Sequence, residues 1–464
     1  MVVGGGWAGL SCATALAERG RPVTLLEERR HLGGRACSFP DSFTGDEVDN
    51  GQHLFLSCFT EALRFLRRIG TAGWIRFQPG LEFSLAEPSG RRSTFRCPPL
   101  PSPLHLLGAV LGHRCLNAAD KLHLMTGWRG MRAEIEAWAA GDGGGQGGAQ
   151  GDRTVEAWLD AHGQTPGSRR GLWHPLAIAT LNEEPSRASS RLFAAVLRRG
   201  LLGGPAQSRL GLPQAPLSKL VDPAARRYLE ERGGRVIRRA SVLKLVADRG
   251  EVRSVRLRDG SEVRASAVVS AVPQHALPRI LPEQVPADDP FFSGSRALAS
   301  SPILSIHLWF DRPVLTSPFL GLVDSPIHWV FDAGREGERA TALRRVTLVT
   351  SGARDLVDRP GVEILGLALG ELRRYLPAVR SARLVHSRVI KERRATFMAE
   401  AGACALRPGH ATPLPNLFLS GDWTDTGLPG TLESAALSGH RCADLLAARP
   451  GSAAGAGATL EEAT

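Results

Sequence analysis

The sequence predicts an α/β fold of two lobes: a Rossmann-like parallel-sheet lobe built from discontinuous segments, and a mixed α+β lobe carried between them. Three observations predict it. A β-branched run passes into a glycine-rich turn and a helix within residues 1–18, a strand, glycine turn and helix recur at 416–447, and β-rich stretches lie between. A chain of 464 residues also exceeds one ordinary core, which fits two or three lobes.

Met1-Val2-Val3 reads as the first strand. A strand feeding such a turn usually has about five residues. The central strand is therefore expected either to be clipped or to continue upstream of Met1, and added apolar residues are expected to raise the yield of cofactor-loaded protein. The turn GGGWAG (4–9) opens a helix, TLLE (24–27) is the next buried strand, and FTEALRFLRRIG (59–70) is a further helix, completing a βαβ unit. Residues 80–220 read as mostly helical pieces with prolines, interrupted by AAGDGGGQGGAQGD (139–152), a flexible surface loop by composition. From 236 to 270, VLKLVAD, VRSVRLRDG and SEVRASAVVSAVP form a meander that turns at Asp259-Gly260 and returns as a buried strand. ILSIHLWF (303–310) and RVTLVTSG (345–352) are strands of the second lobe. NLFLSGD (416–422) is a last buried strand before the helix TLESAALSGHRCADLLA (431–447) and an Ala/Gly-rich tail, 450–464, expected to be disordered. The first lobe thus takes 1–80, 220–290 and 405–447, and the second 81–219 and 291–404.

Hydrophobic residues at 43% and charged residues at 22% exclude a disordered or collagen-like chain. A net charge of +11 raises nucleic acid or an anionic membrane surface as partners. Only four of the 57 basic residues are lysines, however, and the arginines are scattered rather than clustered with aromatics, which argues against nucleic acid. The most apolar uncharged stretch, CPPLPSPLHLLGAVLG (97–112), carries four prolines and does not read as a bilayer span. Seven dispersed cysteines without a CxxC pair point to a reducing compartment and no metal site. No basic segment followed by an apolar one marks a signal peptide, so the expected location is cytoplasmic.

The chemistry begins at Gly4-x-Gly6-x-x-Gly9. Gly4 permits the tight turn, Gly6 lets the backbone approach a pyrophosphate, and Gly9 lets helix and strand pack closely. The helix N-terminus then offers free N–H groups and a positive dipole to phosphates. Glu27 ends the next strand 18 positions after Gly9, where a carboxylate accepts hydrogen bonds from an adenosine ribose. The ligand class is a dinucleotide.

RHLGGR (30–35) resembles the motif that follows the ribose-binding acid in the glutathione-reductase-like flavoproteins, especially amine oxidases and carotenoid desaturases. GDWTDTGLPGTLESAALSG (421–439) looks like the second flavin motif of that group. The resemblance implies FAD, held by Gly33, Gly34 and Arg35 on one side and by Gly421, Asp422 and the helix starting near Thr431 on the other, with Val236 as a further contact. A closer resemblance runs through DNGQHLFLSC (49–58), WHPLAIATLNEEP (173–185), SPILSIHLWFDRPV (301–314), HWVFD (328–332) and DWTDTGLPGTLESA (422–436): these are similar to the hydroxysqualene dehydroxylases of bacterial squalene and hopanoid synthesis. It implies an enzyme that uses reduced FAD to remove the hydroxyl of hydroxysqualene, a C30 isoprenoid, with the synthase that makes this substrate as an upstream partner. The chain departs from the pattern in its short first strand and at Gly430, where alanine is expected.

Replacing an allylic C–OH by C–H calls for a proton donor at oxygen and a hydride from the flavin at carbon. His53 is the candidate donor, with Asp49 and Gln52 orienting it or a water, while Asn50 holds the turn. An amine oxidase is disfavoured by the scarcity of lysines and by the placing of the only tyrosines, Tyr228 and Tyr375, in helix-like stretches. An isoprenoid desaturase, running in the opposite redox sense, is the alternative. The segment 98–112 is expected either to dock on a membrane surface or to roof the substrate tunnel.

Overall fold

The computed structural model describes residues 1–140, 151–333, 342–449 and 460–461. The glycine-rich insertion at 139–152 lies mostly, and the tail 450–464 almost wholly, outside the described residues.

β1 (Val2–Val3) is two residues long, yet it occupies the middle of a five-stranded sheet. It is followed by α1 (Trp7–Glu18) and β2 (Thr24–Glu27), and the sheet is completed by β3 (Arg235–Arg238), β4 (Val268–Ser270) and β5 (Leu417–Leu419), in the order β3-β2-β1-β4-β5. All four pairings are parallel, with Val2 between Leu25 and Val269 and Val3 between Leu26 and Ser270. Parallel strands are buried on both faces, which is why LLE, VVS and LFL carry so few polar residues. α1 is buried from Trp7 to Ala17 and packs along α2 (Leu432–Ala447), where Arg19 donates to the Ala443 carbonyl at 2.8 Å. The helices that follow the two glycine turns therefore lie side by side.

The second lobe is a seven-stranded sheet in the order 384–397, 300–310, 344–351, 329–332, 319–322, 82–86, 92–96. The strand Ser300–Phe310, second in that order, sends alternate side chains to its two faces. Leu304, Ile306, Leu308 and Phe310 share a core with Ile364, Ala368, Leu372 and Tyr375 of the helix Gly361–Tyr375. The opposite face carries Ile303, Ser305, His307 and Trp309 and turns toward the first lobe.

One expectation is corrected here. Residues 80–220 are not mostly helical at their start: Glu82–Ala86 and Arg92–Arg96 form a hairpin, and the first of these strands pairs parallel with Phe319–Leu322. In RSTFR only Ser93 and Phe95 are buried, a period of two that spans too few residues to stand out beside the helices that follow.

Candidate active site

The glycine turn folds as its spacing requires. Gly4 has φ +106°, and Gly6 caps α1 in an extended conformation with φ −76° and ψ 179°. A Cβ on Gly9 would lie 1.9 Å from the Gly4 carbonyl oxygen, so a side chain there is incompatible with the turn. Glu27 closes the cradle: one carboxylate oxygen accepts from the Gly5 amide at 2.6 Å and the other from the Arg29 amide at 2.8 Å. Burial raises the Glu27 carboxyl above its ordinary value, and the two amides oppose that shift. Gly6 pairs with Gly33, which brings the second glycine pair beside the first.

The C-terminal motif meets this cradle from the other side. Arg35 donates to the Asp422 carboxylate and to the Ala395 carbonyl, each at 2.6 Å. The Gly421 amide donates to Ser438 Oγ at 2.8 Å, and Thr431 caps α2 by accepting from the Ser434 amide at 3.1 Å. Gly430, the departure from the expected alanine, has a local reason. A Cβ there would lie 2.9 Å from Thr396 Cβ and 3.2 Å from an Asp422 carboxylate oxygen, so Thr396 fills the place of the methyl. The sequence reading missed Arg407, which is buried and donates to the Asp422 carbonyl at 3.1 Å and Thr426 Oγ1 at 3.0 Å, fixing the loop that carries Asp422. A lone arginine outside either motif gives no local signal for this.

Both motifs line one cavity of about 1020 Å³. Its polar end carries Asn50, Gln52, His53, Asn182, Thr396 and Asp422 beside the glycine loops. Its other end is apolar, lined by Leu104, Leu107 and Val110 of the helix Leu104–Gly112 and by Leu124, Met125 and Trp128 of the helix Ala118–Ala140. Leu104, Leu107 and Met125 also reach the outer surface, at 49%, 39% and 41% exposure, and Leu111 and Leu122 continue the apolar surface beside them. The segment thus both roofs the cavity and presents an apolar exterior. Among the described residues no helix is long and apolar enough to cross a membrane.

His53 is half-buried because it faces the cavity rather than bulk solvent, and its ring has no hydrogen-bond partner among the described residues. Burial lowers its pKa; the Asp49 charge opposes that shift and Arg35 adds to it. Asp49 and Val236 require correction. Asp49 does not line the large cavity: its Oδ1 accepts from Ser38 Oγ at 2.6 Å and the Leu217 amide at 3.0 Å, tying the hairpin of Ser38–Pro40 and Glu47–Asp49 to a helix start. Val236 pairs with Leu25 inside the sheet and packs in the core, whereas Ala240, Ser241 and Val242, just beyond β3, line the cavity. The other sequence-chosen residues, Gly4, Gly6, Glu27, Gly33, Gly34, Arg35, Gln52, His53, Gly421, Asp422 and Thr431, all line it, and Gly9 lies under the turn.

A glycine-turn cradle, an acid ending the second strand and a second helix N-terminus on one cavity define an FAD-dependent oxidoreductase fold. The chain belongs to the flavin containing amine oxidoreductase family, whose pattern it matches over residues 7–447. It is similar to hydroxysqualene dehydroxylases of Sinorhizobium fredii and Rhodopseudomonas palustris, each 31% identical, with 96% of this chain aligned to 97% and 98% of those proteins. It is also 27% identical to the 15-cis-phytoene desaturase of Synechococcus elongatus, over 97% of this chain and 95% of that protein. Among solved structures, an oxidoreductase from Methanosarcina mazei shares the fold with a TM-score of 0.72 at 16% identity, covering 96% of this chain and 99% of that one. Wild-type putrescine oxidase bound to putrescine shares it at 0.67 and 17%, over 97% and 98% of the two chains. The enzyme binds FAD.

Proposed function

We propose that this enzyme reductively removes the hydroxyl of hydroxysqualene to give squalene, as a step of squalene and hopanoid synthesis. One observation carries the reading: one cavity of about 1020 Å³ joins the polar flavin-motif end to an apolar end. The relatives bearing the name hydroxysqualene dehydroxylase support it. The Gly4–Gly9 turn and α1 hold the pyrophosphate, Glu27 the adenosine ribose, and Arg35, Asp422 and Thr431 the ribityl side. FAD, when bound and reduced, supplies the hydride. His53 passes the proton to the departing oxygen; its lowered pKa makes its protonated form a stronger acid than an ordinary imidazolium. Gln52 orients His53 or a water. Leu104, Leu107 and Leu111 dock on the inner face of the cytoplasmic membrane, from which the isoprenoid enters.

The test is mass-spectrometric analysis of the product after hydroxysqualene and a flavin reductant are supplied. Squalene is the expected product. A second reading, isoprenoid desaturation, is favoured by the 27% identity to a phytoene desaturase; the same assay with phytoene distinguishes it.

A further inference from the structure

A second, smaller recess enters the molecule from the second lobe and ends behind the polar end of the cavity. Its volume is about 90 Å³, room for about three waters at liquid density. Exposed Gln214, Pro318 and Asp332 stand at its rim, and Gln52, His307 and Thr347 line its inner part. Gln52 lines the large cavity as well and, among the described residues, is the one common to both linings.

The strand beneath is arranged along the same line. On one face of Ser300–Phe310, Ile303 lines the large cavity, His307 lines the recess, and Ser305 lies between them. Ser305 is 1% exposed and its hydroxyl has no partner among the described residues; it lies 3.6 Å from where a Cβ on Gly51, the neighbour of Gln52, would stand. His307 is 2% exposed. Its Nδ1 pairs with Thr347 Oγ1 at 2.9 Å, while Nε2 lies beside the Asp49 main chain without a hydrogen bond of good geometry. Burial, reinforced by Arg345, holds the ring's pKa at about 4, so it is neutral at neutral pH. Two buried polar groups left unsatisfied along one path are costly unless water pairs with them.

The geometry points to a water inlet: the recess supplies from solvent, past Gln52, the proton that replaces the one His53 gives to the substrate's oxygen, and receives the water that is released. This rests on the dehydroxylation reading. In that reaction a C–O bond breaks and a C–H bond forms. The electron pair arrives with the hydride of reduced FAD, and one proton leaves with the oxygen as H₂O. An isoprenoid that enters through the apolar end brings no proton with it and offers no polar exit for water, so a separate polar route meets both needs.

The test uses the FAD-loaded enzyme, chemically reduced under anaerobic conditions and mixed with hydroxysqualene in H₂O and in D₂O. Gln52→Leu, close in shape but unable to hydrogen-bond a relaying water, is expected to slow flavin reoxidation at least about tenfold and to enlarge the solvent isotope effect, with flavin content unchanged. Thr347→Val, which removes the hydroxyl paired with His307, is expected to act in the same direction. Wild-type turnover with Gln52→Leu and Thr347→Val unaltered in rate and isotope effect would overturn the inlet alone. Failure of the wild-type enzyme to turn over would overturn the dehydroxylation reading and the inlet with it.

Discussion

Arg35 and Asp422, 387 residues apart in sequence, are joined by an ion pair of 2.6 Å in which Asp422 is almost wholly shielded from solvent. The pair ties the loop after the N-terminal glycine turn to the loop before α2, joining the two halves of the FAD site. Charge-assisted hydrogen bonds of this kind contribute about 1.5–3 kcal/mol. Arg35→Met is therefore expected to weaken FAD binding at least about tenfold in a titration of apoprotein followed by flavin fluorescence.

Gly9→Ala places a methyl 1.9 Å from the Gly4 carbonyl, which is main chain and cannot rotate away. Overpacking of this sort costs about 1–3 kcal/mol or more. The variant is expected to purify with little flavin and a lower unfolding temperature. A fully flavinated Gly9→Ala protein would mean that the turn relaxes.

Much of this site is legible in sequence because its chemistry is local. The glycines are demanded by turn geometry, Glu27 and Thr431 by their positions at element ends, and Arg35 and Asp422 by the motifs around them. Val236 was misplaced because the cavity contact falls just beyond the strand, at Ala240 to Val242, and β-branched residues on either side of that boundary read alike. Asp49 stands three residues before Gln52 in a polar turn, but chain direction, invisible in sequence, sends its carboxylate to Ser38 and Leu217 instead. Arg407 and the inlet recess are long-range assemblies; the recess unites residues from 49 to 347 with no spacing pattern to betray it.

Stability should fall in mild acid. His328 Nδ1 accepts from the Ser351 amide at 3.1 Å, and burial lowers the ring's pKa from 6.5 to about 4. The folded state therefore binds fewer protons than the unfolded chain between these values. Its contribution is fully present above pH 6.5 and is lost as pH falls toward 4. Unfolding temperatures measured across that window are expected to drop, and to drop less in His328→Asn, whose carbonyl keeps the acceptor without titrating.

The apolar roof predicts membrane attachment. Leu107→Glu combined with Val110→Glu is expected to abolish co-sedimentation with liposomes while FAD content is retained. Unaltered sedimentation would assign these side chains to the tunnel alone.

His53→Gln and His53→Ala are expected to lose about 10²-fold or more in dehydroxylation rate at unchanged FAD occupancy. Near wild-type activity in both would remove His53 from the chemistry.

Anaerobic mixing of the reduced enzyme with hydroxysqualene, followed by flavin absorbance and mass spectrometry, is the decisive measurement of dehydroxylation. Return of the oxidised flavin spectrum, with one squalene formed per flavin, is the expected result. Flavin that stays reduced with hydroxysqualene, while the oxidised enzyme is bleached by phytoene, would contradict it.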